Sequence, residues 1–312
     1  MGGDAPSFNA SDDGLHRPSS DFYDTETFWY SFFVPERRMG GWLYTSLRSQ
    51  PGVCAGGAWI WDDRSVDPWS IPFFEQFSWL RYPSEADPAR LRFPTGMTIE
   101  VLQPLMSYDL VYTDRDRLEV ELRFDALEAP VALRSGSPPY PKAHHFDQTG
   151  HVTGIVRLDG EEIVVDCYAM RDRSWGRRTE RGYPRVGYVW AASPETSFLA
   201  YSVPDRTEDR AHSGYLRSGS VLSYLRRGAR QTERDPVTGW VTSMTIDAAD
   251  EQGRALHAEG VALSRMVLPG STSICINTLM RWDIGGATIW GEDQDVWPIK
   301  DYRNQYPKFV VT

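Results

Sequence analysis

Between His144 and Arg178 the chain gathers residues that could move a proton. The run reads His144-His145-Phe146-Asp147-Gln148-Thr149-Gly150-His151, followed by a strand-like stretch and then Met170-Arg171-Asp172-Arg173-Ser174-Trp175-Gly176. An Asp set among aromatic residues loses solvation when ionised, so its pKa rises and it can act as a general acid near neutral pH. Asp172 is the candidate donor, and His144 or His145 the group that orients it or activates water. Trp175, Tyr168 and Trp190 could steady a developing cation through their π faces. They would line the pocket with Met170. The opposing reading is that Asp172 pairs with Arg171, Arg173 or Arg177 and pins a strand-to-loop corner, since an adjacent guanidinium lowers a carboxyl pKa instead.

On an extended strand His145, Asp147 and His151 share a face by the period of two. Two imidazoles and a carboxylate are a possible ligand set for Zn²⁺ or Fe²⁺, but such sites usually draw ligands from more than one element. We therefore expect neither metal nor cofactor. The cluster Glu292-Asp293-Gln294-Asp295 lacks the spacing of an EF-hand loop and reads as salt-bridging acids. Arg226-Arg227 and Arg230 read as a solvated basic loop. No GxGxxG, Walker A or GxSxG occurs in a fitting context.

The elements that must position these residues are strands. Leu118-Glu119-Val120-Glu121-Leu122-Arg123-Phe124 alternates apolar and polar, the mark of a half-buried strand. Asp159-Gly160 between Val152–Leu158 and Glu162–Met170 is a hairpin signal, and Gly285-Gly286 is another. Gly40-Gly41 and Gly56-Gly57 read as turns, and Pro72–Leu80 as including a helical turn. Aromatic residues make up 13% of the 312 residues, which favours a β protein with a cavity. Many short strands between turn signals point to barrels or sandwiches rather than βαβ units.

Residues 1–20 are polar and read as a flexible tail. A Pro-rich break at 135–141 suggests one β domain over 21–140 and a second, carrying the Asp172 motif, over 141–312. The net charge of −10 argues against a nucleic-acid partner. No run of about 18 apolar residues is present to span a membrane, and no secretory signal is visible. Cys54, Cys167 and Cys275 are odd in number and widely spaced, which reads as reduced thiols in a cytoplasmic protein. Oligomeric state is not legible.

Gly154, the Asp159-Gly160 turn and Arg171-Asp172-Arg173-Ser174-Trp175-Gly176 together resemble a pattern of the carotenoid 1,2-hydratase/AttH-like superfamily. There Asp-His-Asn-Trp-Gly or Asp-His-Ser-Trp-Gly follows an aromatic residue two places earlier, with a His nearly thirty residues upstream. Here Arg173 replaces the motif His and Met170 stands at the aromatic position. The resemblance covers the second half of the chain, with no close match in the first 130 residues. It implies an all-β fold of two lipocalin-like antiparallel barrels or sandwiches packed side by side. It also implies a cofactor-independent hydratase, dehydratase or isomerase acting on an isoprenoid, terpenoid or prenylated alkene. The alternatives are a non-catalytic carrier of a hydrophobic small molecule and a cyclase that works by folding its substrate.

Overall fold

The computed structural model describes residues 7–83, 87–133, 144–179, 182–205 and 208–306. The fold is all-β, and the chain divides into two compact units. The first holds strands β1 (Asp24–Val34), β2 (Met39–Arg48), β3 (Val53–Trp61), β4 (Phe73–Arg81), β5 (Arg90–Arg92), β6 (Met97–Gln103), β7 (Ser107–Thr113), β8 (Leu118–Ala126), β9 (Val131–Ala132), β10 (His144–Leu158) and β11 (Glu161–Arg177). They form one eleven-stranded antiparallel sheet in the order β4-β3-β2-β1-β11-β10-β8-β7-β6-β5, with β9 also on β10.

The second unit is a closed barrel of β12 (Val186–Ala192), β13 (Thr196–Pro204), β14 (Asp209–Ser218), β15 (Val221–Arg234), β16 (Val241–Asp250), β17 (Ala255–Pro269), β18 (Ser273–Ile284) and β19 (Ala287–Pro298), followed by the short helix α1 (Ile299–Gln305). Closure leaves no unpaired edge. Val189, Ala191, Phe198, Ile246, Met280 and Trp282 fill its core.

Alternation explains the strands. In β8 every second residue from Leu118 to Phe124 is buried and those between are exposed. Asp159 and Gly160 both take positive φ, 50° and 84°, which is the backbone of a two-residue hairpin turn whose twist matches the flanking strands. That turn sets the register of β10 on β11 without a slip over fifteen pairs, from Leu158↔Glu161 to His144↔Trp175.

Several expectations need correction. The strand pair carrying the Asp172 motif belongs to the first unit, because β11 pairs with β1 and β10 pairs with β8. The first unit therefore runs to Thr179 rather than ending near residue 141. Residues 61–71 also group with the second unit, where the Val267 amide donates to the Val66 carbonyl at 2.9 Å. The Pro-rich break at 135–141 lies outside the described residues.

In place of the helical turn expected within 72–80 stands the strand Phe73–Arg81, paired with β3 from Ile60↔Phe73 to Val53↔Arg81. The glycine pairs sit inside strands. A Cβ on Gly41 would fall 2.2 Å from the Phe32 ring, and one on Gly56 would strike the Tyr44 carbonyl, so these glycines admit neighbours rather than turn the chain. The described part of the N-terminal tail is anchored. Asp13 accepts from the Tyr108 hydroxyl and the Leu105 amide, each at 2.6 Å, and the Gly14 carbonyl accepts from Arg173. Two acids that look solvated in sequence are buried because they meet donors.

Candidate functional site

The site is built from four neighbouring strands of the first sheet. Across them Asp147 of β10 pairs with Asp172 of β11, Asp172 with Trp29 of β1, and Trp29 with Tyr44 of β2. Paired residues of an antiparallel sheet share a face, and so do residues two apart. His145, Met170 and Trp42 therefore lie on the face of this row. Arg171, Arg173, Phe146 and Trp175 lie on the other.

That alternation turns the arginines next to Asp172 away from it. Its flanking arginines are engaged on the far face. Arg171 donates to Gln148 Oε1 at 2.7 Å and to the Tyr108 hydroxyl at 2.6 Å. Arg173 pairs with Glu26 and lies over the Phe28 ring at 3.6 Å. Arg177 pairs with Asp21 at 3.2 Å. No arginine–carboxylate ion pair to Asp172 occurs among the described residues. Its Oδ1 is shut off from solvent and accepts no hydrogen bond there.

Burial pushes the Asp172 carboxyl up to about 6, and the neighbouring Asp147 adds to the rise, while His145, Arg178 and Arg173 oppose it. His145 is buried with Asp147, its Nε2 3.0 Å from Asp147 Oδ1. Burial disfavours the imidazolium, but the Asp147 charge and hydrogen bond outweigh that and raise the pKa. One ligand atom from each of His145, Asp147 and Asp172 lies within 4.8 Å of the others. The arrangement is a carboxyl of raised pKa beside a hydrogen-bonded His145–Asp147 pair. Trp29, Trp42 and Met170 supply a buried apolar surround.

The other candidates are dispersed. His144 falls on the opposite face from Asp172 and stacks on Trp175, ring centroids 5.3 Å apart. Those two rings line a separate cleft of about 260 Å³ with His16, Glu26, Asp24 and Tyr82, in which His16 also stacks on Trp175 at 4.0 Å. Tyr168 shares the face of Asp172 four residues away but stacks on His151 at 4.7 Å. Trp190 belongs to β12 of the second unit, next to Glu292 in register.

The single-strand set His145, Asp147 and His151 shares a face, yet His151 is six residues along and pairs with Asp166 at 2.6 Å. Asp172 from the neighbouring strand takes the third place. Cys54 is a buried thiol, pushed up to about 12 by burial, which makes it inert. Cys167 is also buried and receives the Phe33 amide at 3.4 Å.

The acids of β19 bind arginines. Arg230 grips Asp293 at 2.7 and 2.8 Å and Asp209 at 2.7 Å. Arg230 is fully buried, contrary to the solvated loop expected for it, because β15 turns its side chain toward these acids. Sequence reasoning missed Trp29 and Tyr44, whose strands carry no motif. Asp147 was noticed only as a ligand, although its i, i+2 spacing from His145 already put the two side chains together.

An all-β chain with a closed eight-stranded barrel and a second curled sheet is the double lipocalin-like architecture of AttH-type proteins. The structure is similar to that of a candidate AttH from Nitrosomonas europaea, with a TM-score of 0.66 at 12% identity, covering 95% of this chain and 97% of that one. It is also similar to kievitone hydratase from Nectria haematococca, with a TM-score of 0.55 at 10% identity over 88% and 89%. A third likeness is to CghA, with a TM-score of 0.54 at 11% identity over 88% and 87%. At such identities the likeness is one of fold. The chain itself belongs to the DUF7064 family, a domain of unknown function, whose pattern matches residues 9–292. No curated protein matches the sequence. No helix among the described residues is long and apolar enough to cross a membrane.

Proposed function

We propose that this protein is a cofactor-independent lyase or isomerase that protonates an apolar alkene, with Asp172 as the acid. The observation that carries the reading is a half-buried aspartate whose Oδ1 is shut off from solvent and which its three flanking arginines leave unpaired, set in a row with Trp29 and Tyr44. The kinship in fold with a hydratase agrees with it. In the hydration direction Asp172 gives its proton to one alkene carbon. The cation forms at the other carbon, near the face of Trp29. Water adds there, and the Asp172 carboxylate takes the proton that the water sheds, so one carboxyl closes the cycle without a cofactor. His145, held by Asp147, orients Asp172 and keeps positive charge beside the carboxylate stage.

The acid form of Asp172 dominates below about pH 6, so turnover should fall as pH rises through that value. The test is a screen of isoprenoid and prenylated alkenes in deuterated water, with deuterium in the product as readout. We expect Asp172→Asn to lower incorporation at least about 100-fold, the scale of a lost general acid, while the thermal transition is retained. A ligand bound and released unchanged, with no deuterium taken up by wild type, would instead make the protein a carrier.

A further inference from the structure

We propose that His145, Asp147 and Asp172 also form a binding site for a divalent cation, with Zn²⁺ the ion the donors suit best. One imidazole and two carboxylates are a nitrogen–oxygen set that zinc accepts. They come from two adjacent strands, which is how a small ion is usually surrounded. The register places Asp147 directly opposite Asp172, and the twofold period puts His145 on the same face. Around a tetrahedral ion with bonds of roughly 2.0–2.2 Å, neighbouring donor atoms stand about 3.3–3.5 Å apart. His145 Nε2 and Asp147 Oδ1 are already 3.0 Å apart, and all three donors fall within 4.8 Å.

The second observation is the state of Asp172. Its Oδ1 is out of solvent and has no hydrogen-bond donor among the described residues. A buried acceptor of this kind costs free energy until something cationic or protic meets it. Either a proton or a metal ion can do so, and not both at once. Zinc would take the place of the acidic proton on Asp172 and of the hydrogen between His145 and Asp147, releasing protons as it binds. If the acid reading above holds, the ion is an inhibitor of the same site. The binding itself does not depend on that reading.

His16 with Asp12 and Glu26 is a further, part-buried His–carboxylate group that His16→Ala tests in the same way, and two surface groups supply the controls. His151 with Asp166, and His257 with Asp247 and Glu259, are on the surface and could hold zinc adventitiously. The experiment is calorimetric titration of the full chain with Zn²⁺ alone, followed by visible absorption of bound Co²⁺. We expect one tightly held ion per chain, with the spectrum of a low-coordinate nitrogen–oxygen site. Asp172→Asn and Asp147→Asn should each weaken binding at least tenfold, and His151→Ala and His257→Ala should leave it unchanged. The proposal is overturned if no stoichiometric ion binds, or if the surface variants rather than the aspartate variants remove it. Asp147→Asn retains a side chain of the same shape, so its folded state can be checked by circular dichroism before titration. The two readings fail separately. Zinc without effect on a catalytically essential Asp172 removes the cation site alone, whereas zinc bound to a trio whose Asp172→Asn variant still transfers deuterium removes the acid alone.

Discussion

Each unit buries a cluster of acids, and the two clusters are solved in opposite ways. In the barrel, Asp209, Asp293 and Asp295 face Arg185, Arg230 and Arg234. Asp295 alone meets Arg234 at 2.6 Å, Arg185 at 3.1 Å and the Trp297 indole at 2.9 Å. Burial tends to raise its pKa, but the three guanidinium charges win and hold it well below the usual carboxylate range. In the first sheet, Asp147 pairs with His145 at 3.0 Å, and Asp172 makes no arginine ion pair among the described residues. The arginines adjacent to Asp172 in sequence point away, and burial raises its pKa; burial also raises Asp293 of the barrel in spite of Arg230, so the clusters differ in arginine pairing rather than in the sign of every shift. A buried acid is therefore not in itself a sign of chemistry. The barrel cluster is held by arginines, whereas Asp172 has no arginine ion pair among the described residues, and it is this acid that we propose as the proton donor.

The contrast can be broken most severely in the barrel. Arg230→Met should strand Asp293 without its guanidinium partner, Asp209 keeping Arg185, and cost about 3–5 kcal/mol of stability, read from urea unfolding at pH 7. A loss below about 1 kcal/mol would mean the network is not a brace. A smaller effect of the opposite sign is expected in the sheet. Because the folded pKa of Asp172 lies above its unfolded value, ionisation penalises the native state above about pH 6, and the penalty is gone below the ordinary carboxylate range. Asp172→Asn removes that charge. It should stabilise the protein by about 1–2 kcal/mol at pH 8 and change little at pH 4, so thermal melts at the two pH values would separate an acid held in reserve from a structural pin. The smallest effect belongs to the surface. His151 and Asp166 form a close but exposed pair, and His151→Ala should shift stability by no more than about 0.5 kcal/mol.

Much of this was legible in the chain, and the parts that were not share a cause. The Asp159-Gly160 turn and the alternation of Leu118–Phe124 are local signals, and both strands and turn form as read. Asp172 stood out because its surroundings in sequence are aromatic. What local signals could not show is which strand comes to lie beside which. Trp29 meets Asp172 through a pairing of β1 with β11 from the far end of the first unit, and Tyr44 joins the row through Trp29, with no motif to announce them. The same blindness hid the partners of Arg230 and Asp13, which look solvated in sequence and are buried because distant groups complete their hydrogen bonds. It also moved the boundary between the units, since a proline-rich break marks a weak point in the local pattern but not the end of a sheet.

The pairing of β1 with β11 has a consequence for how the protein is made. Synthesis proceeds from the N-terminus at about 5–20 residues per second, and β1 leaves the ribosome long before its neighbour. Until Arg177 is out, Phe28, Trp29, Tyr30 and Phe32 have only one of their two flanking strands. Contacts of such long sequence separation form late and slowly. For several seconds the nascent chain thus carries an aromatic strand with an open edge, the kind of surface that chaperones bind and that aggregates when they do not. Release of a chain truncated near residue 140 would make that interval permanent.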